Sequence, residues 1–410
     1  MGYTRGKILK RAPLEYLSEL IETQAQGEAA IQSMIAKSME QSGCAVEFYD
    51  YFPNQVPVKG EFSTGEPNNG QKRRVLIATA KGDPTLPSLL IFAHPDSETV
   101  KNVEKWNSDP FAPVSNNGKL FGWGVADDLA GCACAVEAIK VTLDRKKVAL
   151  GDIIFASTPS KNYARGVASI LHRGLTADAS LYLHPAESGK GMGEIKAVAS
   201  GQLEFSISVI GLAPDTTEPG HTAFSHLGVN PIDKAIKIID ALYQLNAARN
   251  LRIKHEKIHK EVGRSTNLHI SNIVSNDEHR LSRLNETCTF GGAISFPPGE
   301  DLSQVKEEIE KTVKKVSEND DWLNANSPTI SWVSGVTGAE VPESSLFYQI
   351  VSSATKSITG KMPYVNPMHT SSDIRNPIVE ANIPCVGLGC LGGNLSQNNK
   401  VDEWIDIEDF

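Results

Sequence analysis

The chain has 410 residues, 49 of them acidic against 40 basic, a formal net charge of -9, and a hydrophobic fraction of 40%. That balance excludes a nucleic-acid binder built on a basic face with interleaved aromatics, and no apolar run reaches the length of a membrane span. The length exceeds one ordinary core, so two domains are expected. In chain order, Leu17, Leu20, Ile21, Ile31, Met34, Ile35 and Met39 predict an amphipathic helix over 14–43, with Gly43 as its stop. Strands are predicted near Ala45–Phe48, Arg74–Ala80 and Leu89–Ala93. Helix 129–147, strand Ile153–Ser157, helix 164–174 and strand Ser180–Leu183 continue an α/β alternation.

Near Ser200 the texture changes. Leu203–Ile210 alternates apolar and polar residues, as an antiparallel strand with one solvated face does. Asn230-Pro231 starts a helix whose inner face is Ile232, Ala235, Ile236, Ile239, Leu242 and Leu245. Strands at 267–274 and 286–296 follow, then a helix from Asp301 with Leu302, Val305, Ile309, Val313 and Val316 inward. From about residue 330 the chain returns to the first domain. The six cysteines form no C-x-x-C pair and read as reduced thiols. The opening MGYTRGKILKRAP has no secretory apolar core, so a cytoplasmic location is expected.

Two turns carry candidate chemistry. The strand Leu89–Ala93 ends in His94-Pro95-Asp96, and Gly122-Trp123-Gly124-Val125-Ala126-Asp127-Asp128 leads into a helix rich in small residues. Sites in open α/β sheets sit where strands end. His94 and Asp127 are candidate ligands for a transition metal, with Asp96 placed to orient the His94 ring. The competing structural roles are a hydrogen-bonded core histidine and a helix-capping aspartate.

Taken together, His94-Pro95-Asp96, Trp106-Asn107-Ser108-Asp109-Pro110-Phe111 and Gly122 to Asp128 resemble the co-catalytic zinc hydrolase family of aminoacylases, carboxypeptidase G and succinyl-diaminopimelate desuccinylase. The resemblance implies a metallopeptidase-like α/β catalytic domain with an inserted ferredoxin-like α+β lid and dimerisation domain. The expected boundaries are 1–201 and 329–410 for the catalytic domain and 202–328 for the lid, with a homodimer or higher homo-oligomer formed through the lid.

The family pattern breaks selectively. Thr158-Pro159-Ser160-Lys161-Asn162 stands where the family carries a glutamate base followed by a glutamate ligand, and Asn399 stands where it carries the last histidine ligand. Amides are poor zinc ligands, so the second metal position is dismantled. His184 takes the place of the third ligand of the first metal, with Glu187 as the alternative. The resemblance therefore implies one divalent metal per chain held by His94, Asp127 and His184, with Mn(II) favoured and Zn(II) or Fe(II) also suited. Asp96, Lys161 and His221 are the candidate catalytic residues. Lys161 would serve as a base if burial lowered its pKa, and His221 would reach a substrate oxygen across the dimer. Arg375, in Ser371-Ser372-Asp373-Ile374-Arg375, is a candidate for a substrate carboxylate, with an ion pair to Asp373 as the competing role. The lid lacks the arginine usual before its F-x-P-G-like turn, and His269 and Thr289 are candidate substitutes for substrate binding.

Within the family this pattern resembles nitroanthranilate aminohydrolase. It implies removal of ammonia from a small, anionic, electron-poor ortho-amino aromatic carboxylate of the 5-nitroanthranilate type. A single-metal amidase or deacylase of N-acyl amino acids is the alternative. A catalytically inactive binding or scaffold homologue is a third reading, disfavoured because the lost ligands all belong to one metal position.

Overall fold

The computed structural model describes residues 3–65, 70–145, 149–186, 188–275, 281–367, 372–392 and 400–410. Its first domain is built on a six-stranded sheet in the order Ala45–Tyr51, Arg73–Ala80, Ile153–Ser157, Leu89–Ala93, Ala179–Leu183, Cys385–Leu388. The last four strands are parallel and the first two run antiparallel to their neighbours. Three adjacent parallel strands thus deliver their C-terminal ends, His94, Thr158 and His184, to one edge.

Helices cover both faces. On one, Leu17, Leu20, Ile21, Ile31, Ile35 and Met39 pack with Val136 and Ile139 of helix Ala130–Asp144 against the sheet. On the other, helices Gly166–His172 and Arg375–Ala381 lie beside Leu90, Phe92 and Tyr182. The helix predicted over 14–43 is two helices, Tyr3–Thr23 and Glu28–Gln41. The break falls at Gly27, whose φ of +92° is left to residues without a Cβ.

Helix Ala130–Asp144 approaches the sheet closely because Gly131 faces it. A Cβ there would stand 2.3 Å from the Leu183 carbonyl oxygen and 3.2 Å from the Ala93 Cβ. Both strands lead directly into candidate metal ligands. Gly131→Ala is therefore expected to destabilise the fold by about 1–3 kcal/mol, the usual cost of overpacking, and to lower metal affinity by displacing these strand ends. Urea denaturation and metal titration of the variant check this.

The lid is a five-stranded antiparallel sheet in the order Asn267–Ser275, Thr287–Phe296, Gly201–Ile210, Thr329–Val336, Glu61–Ser63. Its four main strands and helices Pro231–Arg252 and Leu302–Glu318 make the βαββαβ order of a ferredoxin-like unit. Leu203, Phe205, Ile207 and Val209 point to the helices while Gln202, Glu204, Ser206 and Ser208 face out, matching the predicted alternation. Asn230 and Asp301 cap the two helices, accepting from the backbone N–H of Ile232 and Ser303.

The expected lid boundary at 328 is corrected to 336, because Thr329–Val336 pairs along Gly201–Ile210. Glu61–Ser63, from the N-terminal part of the chain, supplies the fifth strand. No helix among the described residues is long and apolar enough to cross a membrane.

Candidate metal centre

His94 follows the last residue of the central strand and is 1% exposed. Its Nδ1 lies 2.6 Å from the Thr158 carbonyl oxygen on the neighbouring strand end. A carbonyl only accepts, so Nδ1 carries a proton and Nε2 faces the site. Asp373 Oδ2 lies 2.9 Å from that Nε2. Burial alone would push the His94 pKa down, but the Asp373 carboxylate outweighs it and raises the value to about 9. Asp373 is further held by Ser160 Oγ at 3.2 Å and Asn376 Nδ2 at 2.8 Å. Its own pKa is opposed by burial yet kept below the carboxylate norm by His94.

Asp127 and Asp128 sit in a turn of π-helical hydrogen bonding that precedes helix Ala130–Asp144, joined by a cis peptide. The turn is shaped by Glu403, which is fully buried and accepts N–H bonds from Gly124, Ala126 and Asp127. Burial, with Asp127 nearby, raises the Glu403 pKa to about 7. Asp127 Oδ2 accepts from Lys161 Nζ at 2.7 Å, and Oδ1 lies 3.8 Å from His184 Nε2. His184 is braced by buried Lys196, whose Nζ is 2.8 Å from His184 Nδ1 and donates to the carbonyls of His184 and Pro185.

Asp127, Asp128 and His184 offer ligand atoms that all lie within 4.8 Å of one another. Both carboxylate oxygens of Asp128 are buried with no hydrogen-bond donor among the described residues, and burial holds its pKa well above the carboxylate norm. A buried, undonated carboxylate is costly unless a cation meets it. Two carboxylates and an imidazole suit Mn(II), Fe(II) or Zn(II), so the residues fit a divalent metal. Of the expected ligands, the structure groups Asp127 with His184 and adds Asp128. His94 stands beside them, paired with Asp373. Glu187 and Asn399 lie outside the described residues.

Three expected roles are corrected. Asp96 does not hydrogen-bond the His94 ring. Its carboxylate accepts from the N–H groups of Ser160 (2.9 and 3.1 Å) and Lys161 (2.8 Å), and from Arg73 at 2.9 Å, which fixes the turn carrying Lys161. Lys161 lacks the lowered pKa on which its role as a base was conditional. Burial would lower its pKa, but the Asp127 charge against it prevails and raises it. Arg375 pairs with neither a substrate cleft nor Asp373. Its guanidinium is 3% exposed and is bound by Glu61 at 2.9 Å, Asn376 at 3.1 Å and the carbonyls of Lys59 and Thr337 at 2.7 and 3.2 Å.

A cleft of 410 Å³ opens beside the site, lined among others by His94, Glu98, Lys161, Tyr163, Arg165 and Asp373. A second, of 680 Å³, lies across the Lys161–Asn162 turn against Arg73, Asp96 and Trp123. His269 and Thr289 instead share a 510 Å³ groove with Glu204 on the open face of the lid sheet. His221 caps the turn Thr222–Leu227, its Nδ1 accepting from the Ala223 N–H at 3.1 Å.

Sequence reasoning missed Asp128, Lys196 and Glu403, and gave Asp373 only as a partner for Arg375. The doubled aspartate was visible, and so was the Glu-Trp pair at 403–404. Lys196, a charge inside the apolar stretch Ile195–Ala199, was a signal left unread.

A sequence model of the peptidase family M20/M25/M40 matches residues 90–410. The chain belongs to this family. It is 25% identical over 397 residues to N-formyl-4-amino-5-aminomethyl-2-methylpyrimidine deformylase of Bacillus subtilis, covering 94% of this chain and 86% of that one. It is 24% identical over 393 residues to succinyl-diaminopimelate desuccinylase of Pelagibacter ubique, covering 93% and 90%. A tripeptidase from Staphylococcus aureus has the same fold, with a TM-score of 0.67 at 16% identity over 98% of this chain and 94% of that one. This M20 chain is thus a metal-dependent hydrolase with the family's α/β fold.

Proposed function

We propose that this M20 hydrolase uses one metal ion to cleave a non-peptide C–N bond. In the most specific form it removes ammonia from an electron-poor ortho-amino aromatic carboxylate of the 5-nitroanthranilate type. The observation that carries this reading is Lys161, an ammonium held on Asp127 at 2.7 Å where a peptidase of this kind needs a carboxylate base. His94, Asp127 and His184, with Asp128 beside them, are the proposed metal ligands. A divalent ion there supplies a Lewis acid and lowers the pKa of water.

The chain's own groups do the rest. Asp373, lining the cleft and held by Ser160 and Asn376, is the proposed acceptor of a proton from the attacking water. Asp96 holds the Lys161 turn, so the ammonium faces the cleft where the substrate carboxylate would lie. With Arg375 committed to Glu61, Lys161 is the proposed anion partner in its place. An amine beside a carboxylate chelates a single ion, and a nitro-substituted ring accepts the charge that a peptide oxygen otherwise carries. The lid's His221, from a second copy in a homodimer, is proposed to complete the site, as the resemblance implies.

A second reading is a single-metal amidase that deformylates or deacylates a small substrate. It is favoured by the Bacillus deformylase relative, which spans 94% of this chain. The deciding experiment offers Mn(II)-loaded protein 5-nitroanthranilate, N-formyl-4-amino-5-aminomethyl-2-methylpyrimidine and N-acetyl amino acids, following ammonia, formate and free amino acids. Ammonia from the nitroaromatic, with both amide classes inert, is the expected result. Formate or amino-acid release with the nitroaromatic untouched replaces it with the amidase reading.

A further inference from the structure

The turn carrying Lys161 is unusually constrained. Asn162, Tyr163 and Arg165 all adopt left-handed backbone angles, with φ of 56°, 56° and 54°. Such angles are costly for residues with a Cβ and persist where the surroundings impose them. Here the constraint is visible. Asp96 accepts the N–H groups of Ser160 and Lys161, and Arg73 ties Asp96 to Glu28 of the second N-terminal helix. The outcome is a lysine whose side chain is 13% exposed and whose Nζ lies on one oxygen of Asp127.

Asp127 is shared between two directions. Oδ2 takes the ammonium, while Oδ1 faces His184 in the cluster with Asp128. One oxygen of Asp127 thus already holds a cation that belongs to the protein, while the other is turned toward the cluster that would hold the metal. We propose that the Lys161 ammonium is a built-in substitute for a second metal ion, occupying the second cation position on Asp127. The inference rests on the one-metal reading above and extends it by saying what fills the other half of the site.

Two consequences follow from charge alone. The ammonium repels a divalent ion bound through the opposite oxygen, so it weakens the metal affinity of the site. It also blocks entry of a second ion even if ligands for one are restored. Unlike an exchangeable ion it cannot be removed by a chelator, and its N–H groups remain able to donate to an anion in the cleft.

The test is metal titration of chelator-stripped protein with Mn(II), reading bound and free ion by electron paramagnetic resonance. Wild type is expected to bind one ion per chain; two ions, or none, would overturn the one-metal reading itself. With one ion established, Lys161→Met is expected to bind it at least tenfold more tightly. Lys161→Arg, which keeps the charge, should stay within about threefold of wild type. A lysine that merely shaped the turn would weaken binding when replaced by methionine. Unchanged or weaker binding in Lys161→Met overturns the proposal.

Discussion

Asp127→Asn is expected to abolish turnover and to lower metal affinity by more than about 100-fold, while circular dichroism shows an intact fold. The amide keeps the shape of the side chain and its backbone N–H bond to Glu403. What it loses is the charge that Lys161 at 2.7 Å and the cluster with Asp128 and His184 both use. Replacing an outer-sphere partner of a metal ligand already costs roughly 10–100-fold in affinity, and Asp127 is proposed as a direct ligand. The substitution also leaves the Lys161 ammonium buried beside a neutral group, so the cleft becomes more positive and repels the ion further. Elemental analysis after dialysis, with activity measured in excess metal, checks both halves. Full occupancy in the variant would remove Asp127 from the site.

Arg375→Met is expected to destabilise the protein by about 3–5 kcal/mol, the usual cost of removing one partner from a buried ion pair. Among the described residues Glu61 keeps only Arg165 as an ion-pair partner, whose Nε is 3.5 Å away, and the carbonyls of Lys59 and Thr337 lose a donor. Burial already pushes the Glu61 pKa up, with the two arginines working against it. Chemical denaturation at neutral pH measures the loss. If the variant instead kept its stability and lost only affinity for anionic substrates, Arg375 would return to the substrate-binding role expected from its motif.

The catalytic sheet, the strand ends carrying His94 and His184, and the Asp127 turn were legible because each is announced locally, by an apolar run and the residues that close it. The lid's alternation was legible for the same reason. Convergences across the chain were not. Arg375 meets Glu61 over a separation of 314 residues, and Glu403 reaches the Asp127 turn over 276. No local pattern announces either. Lys161 was noticed as an intruder at a glutamate position, but the charge that raises its pKa against burial, Asp127, is invisible in one dimension. The lid boundary was set short because Thr329–Val336 reads as well for one sheet as for the other until its partner strand is known.

The strand Glu61–Ser63 gives the lid a third attachment. An inserted domain ordinarily hangs on two covalent linkers and can swing about the line joining them. Here Thr64 N–H donates to the Val333 carbonyl and Thr337 N–H to that of Gly60, each at 2.8 Å, while Glu61 is clamped by Arg375 and Arg165. Three points fix an orientation where two leave a rotation. Closure of this lid must therefore bend the sheet or break the short strand away, which favours a stiff, small-amplitude motion over a wide swing.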